Sequence, residues 1–232
     1  MKVAIVAITK KSENAALKIK KNFPGCKIYV LSLKGGLRDL TKKLFSEFEG
    51  IVFCMATGIV VRVIAPCIKD KYTDPAVVVV DEEGRFAISL LSGHEGGANS
   101  LAIQVANSLG AEPVVTTASE SCKKIVIGIG CRRGIDKKEI IKAVQYALKK
   151  IKYSIKKVRY ISTIDLKQNE LGLQEACMEL GVPLRVLPAE LIIKFRGEYE
   201  RSSFVKEKIG VEGVSEPCAL IAAKMAKLIL PK

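Results

Sequence analysis

A chain of 232 residues, 49% hydrophobic and 27% charged, has the make-up of a soluble globular protein with one large or two ordinary domains. No apolar run reaches the ~18 residues of a membrane-spanning helix, which argues against a membrane protein. Thirty-eight basic residues against 24 acidic ones leave a net charge of +14, so the favoured partners are anionic, unless the lysines only solvate the surface. Aromatic residues are just 6%, and no helix-turn-helix, zinc-finger or RNP-type pattern occurs, so nucleic acid is not expected. The seven cysteines are odd in number and none is spaced C-x-x-C, which argues against a disulfide framework and a structural zinc.

The first residues, MKVAIVAITK, read as a strand over 3–7 rather than a signal peptide, which predicts a cytoplasmic protein. Helical spacing follows over 12–22, with Ser12 as its expected cap. CKIYVLS is the second strand, 37–49 a helix, and GIVFCMA the third strand. TGIVVRVIAP predicts a short helix ending at Pro66. AVVVVDEEG and RFAISLL predict a hairpin around residues 82–84. A helix over 99–110 is stopped by Gly110, and EPVVTT is another strand. The pattern then restarts. KKIVIGIGCRRG is a strand running into a loop, and 137–150 is a helix. VRYISTID is a strand, 170–180 a helix closed by Gly181, PLRVLPA a strand, and PCALIAAKMAKLIL a closing helix. Alternation of strands and helices predicts an α/β fold, with two α/β domains, 1–122 and 123–232, each a mostly parallel sheet flanked by helices.

Three loops of the first half are expected at carboxyl ends of strands, where open α/β sheets bind ligands. In ATGIVVR, Thr57 and Gly58 open a helix whose first N–H groups suit an anion, and Arg62 lies one turn on. In DKYTDPAVVVV, Lys71 and Asp74 precede a strand. The third loop, SGHEGGAN, holds the sole histidine, His94, beside Glu95. An imidazole transfers protons near neutral pH. Gly93, Gly96 and Gly97 allow consecutive N–H groups to aim at one point, as an oxyanion requires, and Asn99 opens the next helix. A lone histidine is more often structural, yet core packing does not call for the glycines around it. No G-x-S-x-G elbow is present, and one histidine with scattered carboxylates does not make a zinc site. In IGIGCRRG the dinucleotide pattern fails, because Arg133 stands where the third glycine belongs. What remains is Gly130 followed by Arg132 and Arg133, a pair suited to carboxylates. Cys131, with no histidine beside it, is expected to pack.

The stretches ATGIVVRVIAP, DKYTDPAVVVVDEEGRFAISLLSGHEGGANSLA, PVVTTAS and GIGCRRG resemble, in that order, the cobalt-precorrin-5A hydrolase (CbiG) family of anaerobic cobalamin biosynthesis. ISTIDLKQNELGLQEA and SSFVKEKIGVEGVSEPCAL extend the resemblance. The resemblance implies opening of the ring A δ-lactone of a cobalt macrocycle and release of acetaldehyde. It implies an anionic cobalt-tetrapyrrole substrate for the basic surface, with cobalt carried by the substrate and no cofactor or metal of the protein's own. Two departures stand out. The segment commonly found between the two conserved regions is missing, and Glu95 replaces the usual leucine after the histidine, which argues against an essential role for Glu95. On this reading His94 is the general base, and Gly96 and Gly97 offer N–H groups to the oxyanion. Thr57, Gly58, Arg62, Lys71, Asp74, Gly93, Asn99, Gly130, Arg132 and Arg133 meet the substrate. Lys167, Glu170 and Glu216 fall in family-like stretches without an assigned role. A non-catalytic tetrapyrrole carrier is the alternative. A nucleotide-binding module is disfavoured by the broken glycine pattern.

Overall fold

The longest apolar runs become fully buried strands. The computed structural model describes residues 1–31, 36–224 and 226–231, so Ser32 of the expected second strand and Met225 of the expected closing helix lie outside the described residues. The chain divides into two compact units, Met1–Thr117 and Ala118–Lys232.

The first unit runs β1 (Val3–Ala7), α1 (Lys10–Asn22), β2 (Lys27–Val30), α2 (Leu37–Glu47), β3 (Gly50–Cys54), α3 (Thr57–Ile64), β4 (Ala76–Val80), β5 (Phe86–Leu91), α4 (Ala98–Leu109) and β6 (Glu112–Val114). Its strands are ordered β2-β1-β3-β4-β5-β6. Every neighbouring pair is parallel except the β4–β5 hairpin. All five residues of β1, β3 and β4 are buried, so these strands read as unbroken apolar runs. Alternate side chains serve opposite faces: Ile5, Val52 and Val78 pack with α1 and α4, and Val6, Phe53 and Val79 with α2 and α3. Each such burial contributes about 1.5–3 kcal/mol, which fixes the register of the central strands.

Thr9, not Ser12, caps α1. Its hydroxyl accepts from the Ser12 N–H, while Ser12 reaches back to the Thr9 N–H, a reciprocal pair that puts Ser12 inside the first turn. The hairpin is pinned by Asp81, which accepts from the Arg85 and Phe86 N–H groups and from Arg85 Nε at 2.8 Å. Burial alone would raise this carboxyl. The hydrogen bonds from Arg85 and Phe86 outweigh it and hold the pKa below the ordinary aspartate value.

The second unit runs α5 (Ala118–Ser121), β7 (Ile125–Gly128), α6 (Lys137–Lys150), β8 (Val158–Ile164), α7 (Leu171–Leu180), β9 (Leu184–Leu187), α8 (Ala189–Lys194), α9 (Ser203–Ile209) and α10 (Ser215–Ala223). Its parallel sheet is ordered β7-β8-β9. Helices α6 and α7 cover one face around Ile161 and Leu173, while Ile192 of α8 and Cys218 of α10 close the other with Ile164 and Leu187. The Asp136 carboxylate caps α6 by accepting from Lys138 N at 2.7 Å. The closing helix is shorter than expected and starts earlier: Pro217 sits in its first turn, where a missing N–H costs nothing, and Lys224 beyond it has φ +49°. Helices α8 and α9 were not expected; six and seven residues carry too few turns for a clear period. Among the described residues, no helix is long and apolar enough to cross a membrane.

Candidate active site

The first-unit sheet sorts the expected site residues onto two opposite edges. Thr57 and Gly58 follow β3 at the carboxyl edge, beside Thr9 after β1. The strand order places a switch of direction between β1 and β3, the position where doubly wound sheets bind ligands. Helix α3 opens there on Ala56 without a side-chain cap, and Arg62 folds back to donate to the Gly58 carbonyl at 3.0 Å. The other two loops do not lie at this edge. The loop with Lys71 and Asp74 enters β4, and β5 runs antiparallel to β4, so the turn after β5 lies at the amino edge. Five residues of β3 at about 3.3 Å each separate the two edges by roughly 15 Å. The loop with Lys71 and Asp74 thus precedes its strand instead of following one, and the turn 92–97, although at the carboxyl end of β5, lies on the edge opposite Thr57 and Gly58 because β5 runs in reverse.

At the amino edge the turn 92–97 is built tightly. Ser92 leaves β5 at φ +55°, and Gly97 enters α4 at φ +85°. The Ala98 N–H donates to the Ser92 carbonyl (3.1 Å) and the Asn99 N–H to the Gly93 carbonyl (3.0 Å). A Cβ on Gly96 would stand 2.5 Å from the Ser92 Cβ and 3.4 Å from the Asp74 carbonyl; one on Gly93 would stand 2.8 Å from Asn99 Oδ1. The glycines are thus required by close approach. Among the described residues, no protein acceptor takes the N–H groups of Gly96 and Gly97, and no hydrogen bond holds the ring of His94, which is exposed at the tip.

Asn99 and Asp74 are not open to a ligand. Asn99 is buried, with Oδ1 accepting from Ser89 Oγ (2.8 Å) and Nδ2 donating to Thr117 Oγ1 (2.9 Å). Asp74 is buried too, and its carboxylate accepts from the Lys69 and Asp70 N–H groups. Both fix the shape of the loops rather than meet a substrate. Sequence reasoning missed Ser89 and Thr117, which sit 10 and 18 residues from Asn99 in unremarkable strand and loop contexts. Lys71 is exposed, 3.4 Å from Glu95 and over the Tyr72 ring. Contact with Tyr72, then with Glu95, holds its pKa above the ordinary lysine value. The Glu95 carboxyl is held below its usual value first by its own N–H and then by Lys71.

In the second unit the loop 130–134 follows β7 at the carboxyl edge. Gly128 lies directly under the Ser215 carbonyl of α10, leaving no room for a side chain, and a Cβ on Gly130 would come 3.1 Å from Val214. Gly128 therefore seats α10 against the sheet, and Gly130, itself exposed, packs its Cα against Val214 at the start of that helix. Arg132 is exposed and occupied by Glu139 at 2.9 Å. Arg133 is exposed, and among the described residues it has no ion-pair partner. Glu170 takes the role the sequence left open: Oε1 accepts from the Gly134 N–H (2.7 Å), while Oε2 stands 3.8 Å from Lys167 Nζ, both side chains largely shielded. The pair ties the arginine loop to the start of α7. Glu216 is buried and accepts from the Glu200 N–H at 2.8 Å. Burial raises the Cys131 thiol above its ordinary pKa, in keeping with packing. Among the described residues, no group of three or more histidine, cysteine or carboxylate side chains is placed to hold a metal ion.

Fold and site together define a two-unit α/β protein with a histidine-bearing glycine turn and a separate arginine loop. Residues 39–120 match the family model for the cobalamin synthesis G N-terminal region, and residues 125–232 the model for its C-terminus. The chain belongs to the cobalamin synthesis G family. It is 27% identical over 282 residues to the cobalt-precorrin-5A hydrolase of Salmonella typhimurium (strain LT2), taking in 82% of this chain and 80% of that one. It is 41% identical over 144 residues to the cobalt-precorrin-5A hydrolase of Priestia megaterium, 56% of this chain and 38% of that one. The Salmonella stretch is matched to fewer than its own number of residues here, so that relative carries sequence with no counterpart in this chain. A solved cobalamin biosynthesis protein G homolog from Sulfolobus solfataricus is 20% identical with a TM-score of 0.43, covering 95% of this chain and 89% of that one.

Proposed function

We propose that the chain is a cobalt-precorrin-5A hydrolase that opens the ring A δ-lactone and releases acetaldehyde, giving cobalt-precorrin-5B. The observation that carries the reading is the turn 92–97, where an exposed imidazole stands beside two unclaimed N–H donors, in a chain whose curated relatives bear that name. His94 takes a proton from water as the water oxygen attacks the lactone carbonyl. The Gly96 and Gly97 N–H groups hold the resulting oxyanion, each donor contributing about 2.7–4 kcal/mol in comparable sites. The tetrahedral intermediate collapses, and the ring oxygen leaves with the proton from His94. The freed hydroxyl then returns that proton to His94. The carbon–carbon bond breaks, its electron pair enters the conjugated macrocycle, acetaldehyde departs, and His94 gives its proton to solvent. The cobalt belongs to the substrate. Lys71, exposed beside the turn, attracts its carboxylate arms, and in the second unit exposed Arg133 adds to the positive charge that favours a polyanion.

A second reading, a carrier that binds the macrocycle without turning it over, is favoured by the residues of the Salmonella relative that lack a counterpart here. One experiment separates the two. Acetaldehyde is measured from cobalt-precorrin-5A with wild type and His94→Ala. Release by wild type, reduced about 10²–10⁴-fold in the variant, supports the hydrolase with His94 as base. Binding without release supports the carrier. Equal release by both removes His94 from the mechanism.

A further inference from the structure

Among the described residues, one buried side-chain polar atom lacks a hydrogen-bond partner, and it lies in the glycine turn: the Oγ of Ser92. Ser92 is 8% exposed. Its backbone is also unusual, at φ +55°, a left-handed conformation that costs a residue with a Cβ. Two unfavourable features thus coincide on one residue. Buried hydroxyls are otherwise paired with protein or water. The surroundings hold Ser92 in this state from both sides. Its carbonyl accepts from the Ala98 N–H, the first residue of α4, and its Cβ lies against Gly96, where any side chain would push it away. Asn99, Ser89 and Thr117 then lock the start of the helix.

We propose that Ser92 is a further catalytic residue, its hydroxyl being the third donor of the oxyanion site made by the Gly96 and Gly97 N–H groups. This inference rests on the hydrolase reading above. The left-handed turn brings the Ser92 Cβ against Gly96, whose N–H is one of the two unclaimed donors. A hydroxyl has one proton to donate and here has no protein acceptor, so an oxygen that becomes negative beside Gly96 completes it. Shielding from water is an advantage for such a donor, because no hydration is lost when charge develops and the field is not screened. His94 and Glu95 at the tip of the turn are exposed, two and three residues from Ser92.

Ser92→Ala isolates the hydroxyl, since alanine keeps the Cβ and therefore the backbone strain. A merely structural hydroxyl, buried and unpaired, predicts unchanged kcat and equal or higher thermal stability in the variant. An oxyanion donor predicts that kcat falls about 10²–10³-fold while KM changes little and the melting temperature does not fall. Ser92→Gly, which suits φ +55°, serves as the second variant: it loses kcat to the same degree if the hydroxyl acts, and keeps it if only the turn conformation matters. Acetaldehyde release is measured for wild type and both variants, alongside thermal unfolding. Wild-type turnover with unchanged kcat in Ser92→Ala overturns the role of Ser92 and leaves the hydrolase intact. Absence of turnover in wild type overturns the hydrolase reading, and the Ser92 donor with it.

Discussion

Replacing Asn99 by alanine tests whether the turn is held from behind. Asn99 is buried and makes two side-chain hydrogen bonds, from Ser89 Oγ at 2.8 Å and to Thr117 Oγ1 at 2.9 Å. Each such bond contributes about 0.5–1.5 kcal/mol, and the two hydroxyls left without it add to the loss. The removed amide also leaves a gap against Gly93, whose Cα approaches Asn99 Oδ1 closely enough to forbid a side chain. Together these give a destabilisation of about 2–4 kcal/mol. At about 4 °C per kcal/mol for a unit of this size, the melting temperature falls by roughly 8–15 °C. The chain has no tryptophan, so urea unfolding followed by circular dichroism measures the loss. Peptide-resolved hydrogen exchange locates it. Protection is expected to drop in β5 and α4 and to persist in β7, β8 and β9. A loss below about 0.5 kcal/mol, the range of an ordinary surface change, would refute the claim that Asn99 holds the turn.

Three further outcomes follow from the same geometry. Gly128→Ala places a methyl on the Ser215 carbonyl, so α10 must lift from β7; a loss of about 3 kcal/mol or more is expected in the second unit, read as a lower urea midpoint there. Arg133→Ala raises KM for a polyanionic substrate several-fold at low salt, and the difference shrinks above about 0.15 M salt, where exposed charges are screened; an unchanged KM removes Arg133 from substrate attraction. Burial pushes the Cys54, Cys177 and Cys218 thiols up to about 12, so their thiolate forms are scarce at pH 8. Iodoacetamide at pH 8, followed by mass spectrometry, is expected to label exposed Cys122 first and these three only after unfolding.

The parts of the fold that show in the sequence are those fixed by local chemistry. The continuous apolar runs of β1, β3 and β4 announce strands buried on both faces, and Asp136 and Gly181 mark helix ends by capping and by a left-handed residue. What the sequence conceals depends on direction and on distance. The hairpin at residues 81–85 is readable, but its consequence for the loop after β5 appears only once the neighbouring strands are known to be parallel. Asn99 looks like a helix-opening ligand group until Ser89 and Thr117 are seen to occupy it. The broken glycine pattern of the IGIG stretch rules out a dinucleotide loop without explaining the glycines, and only the passage of the Ser215 carbonyl over Gly128 and of Val214 against Gly130 accounts for them. Ser92 carries no signature, because a left-handed serine and an unpaired hydroxyl have no mark in a sequence.

The reversed strand β5 has a meaning for how such proteins change. In a wholly parallel sheet every strand delivers its following loop to the same rim, so new chemistry must compete for space with whatever already binds there. A single hairpin acts as an address change. The cassette from Ala76 to the start of α4 exports its loop to the far rim, while the rim at Thr9, Thr57 and Gly58 stays free. Grafted onto another sheet of the same strand order, that cassette would carry its histidine turn with it and leave the host's own binding rim undisturbed.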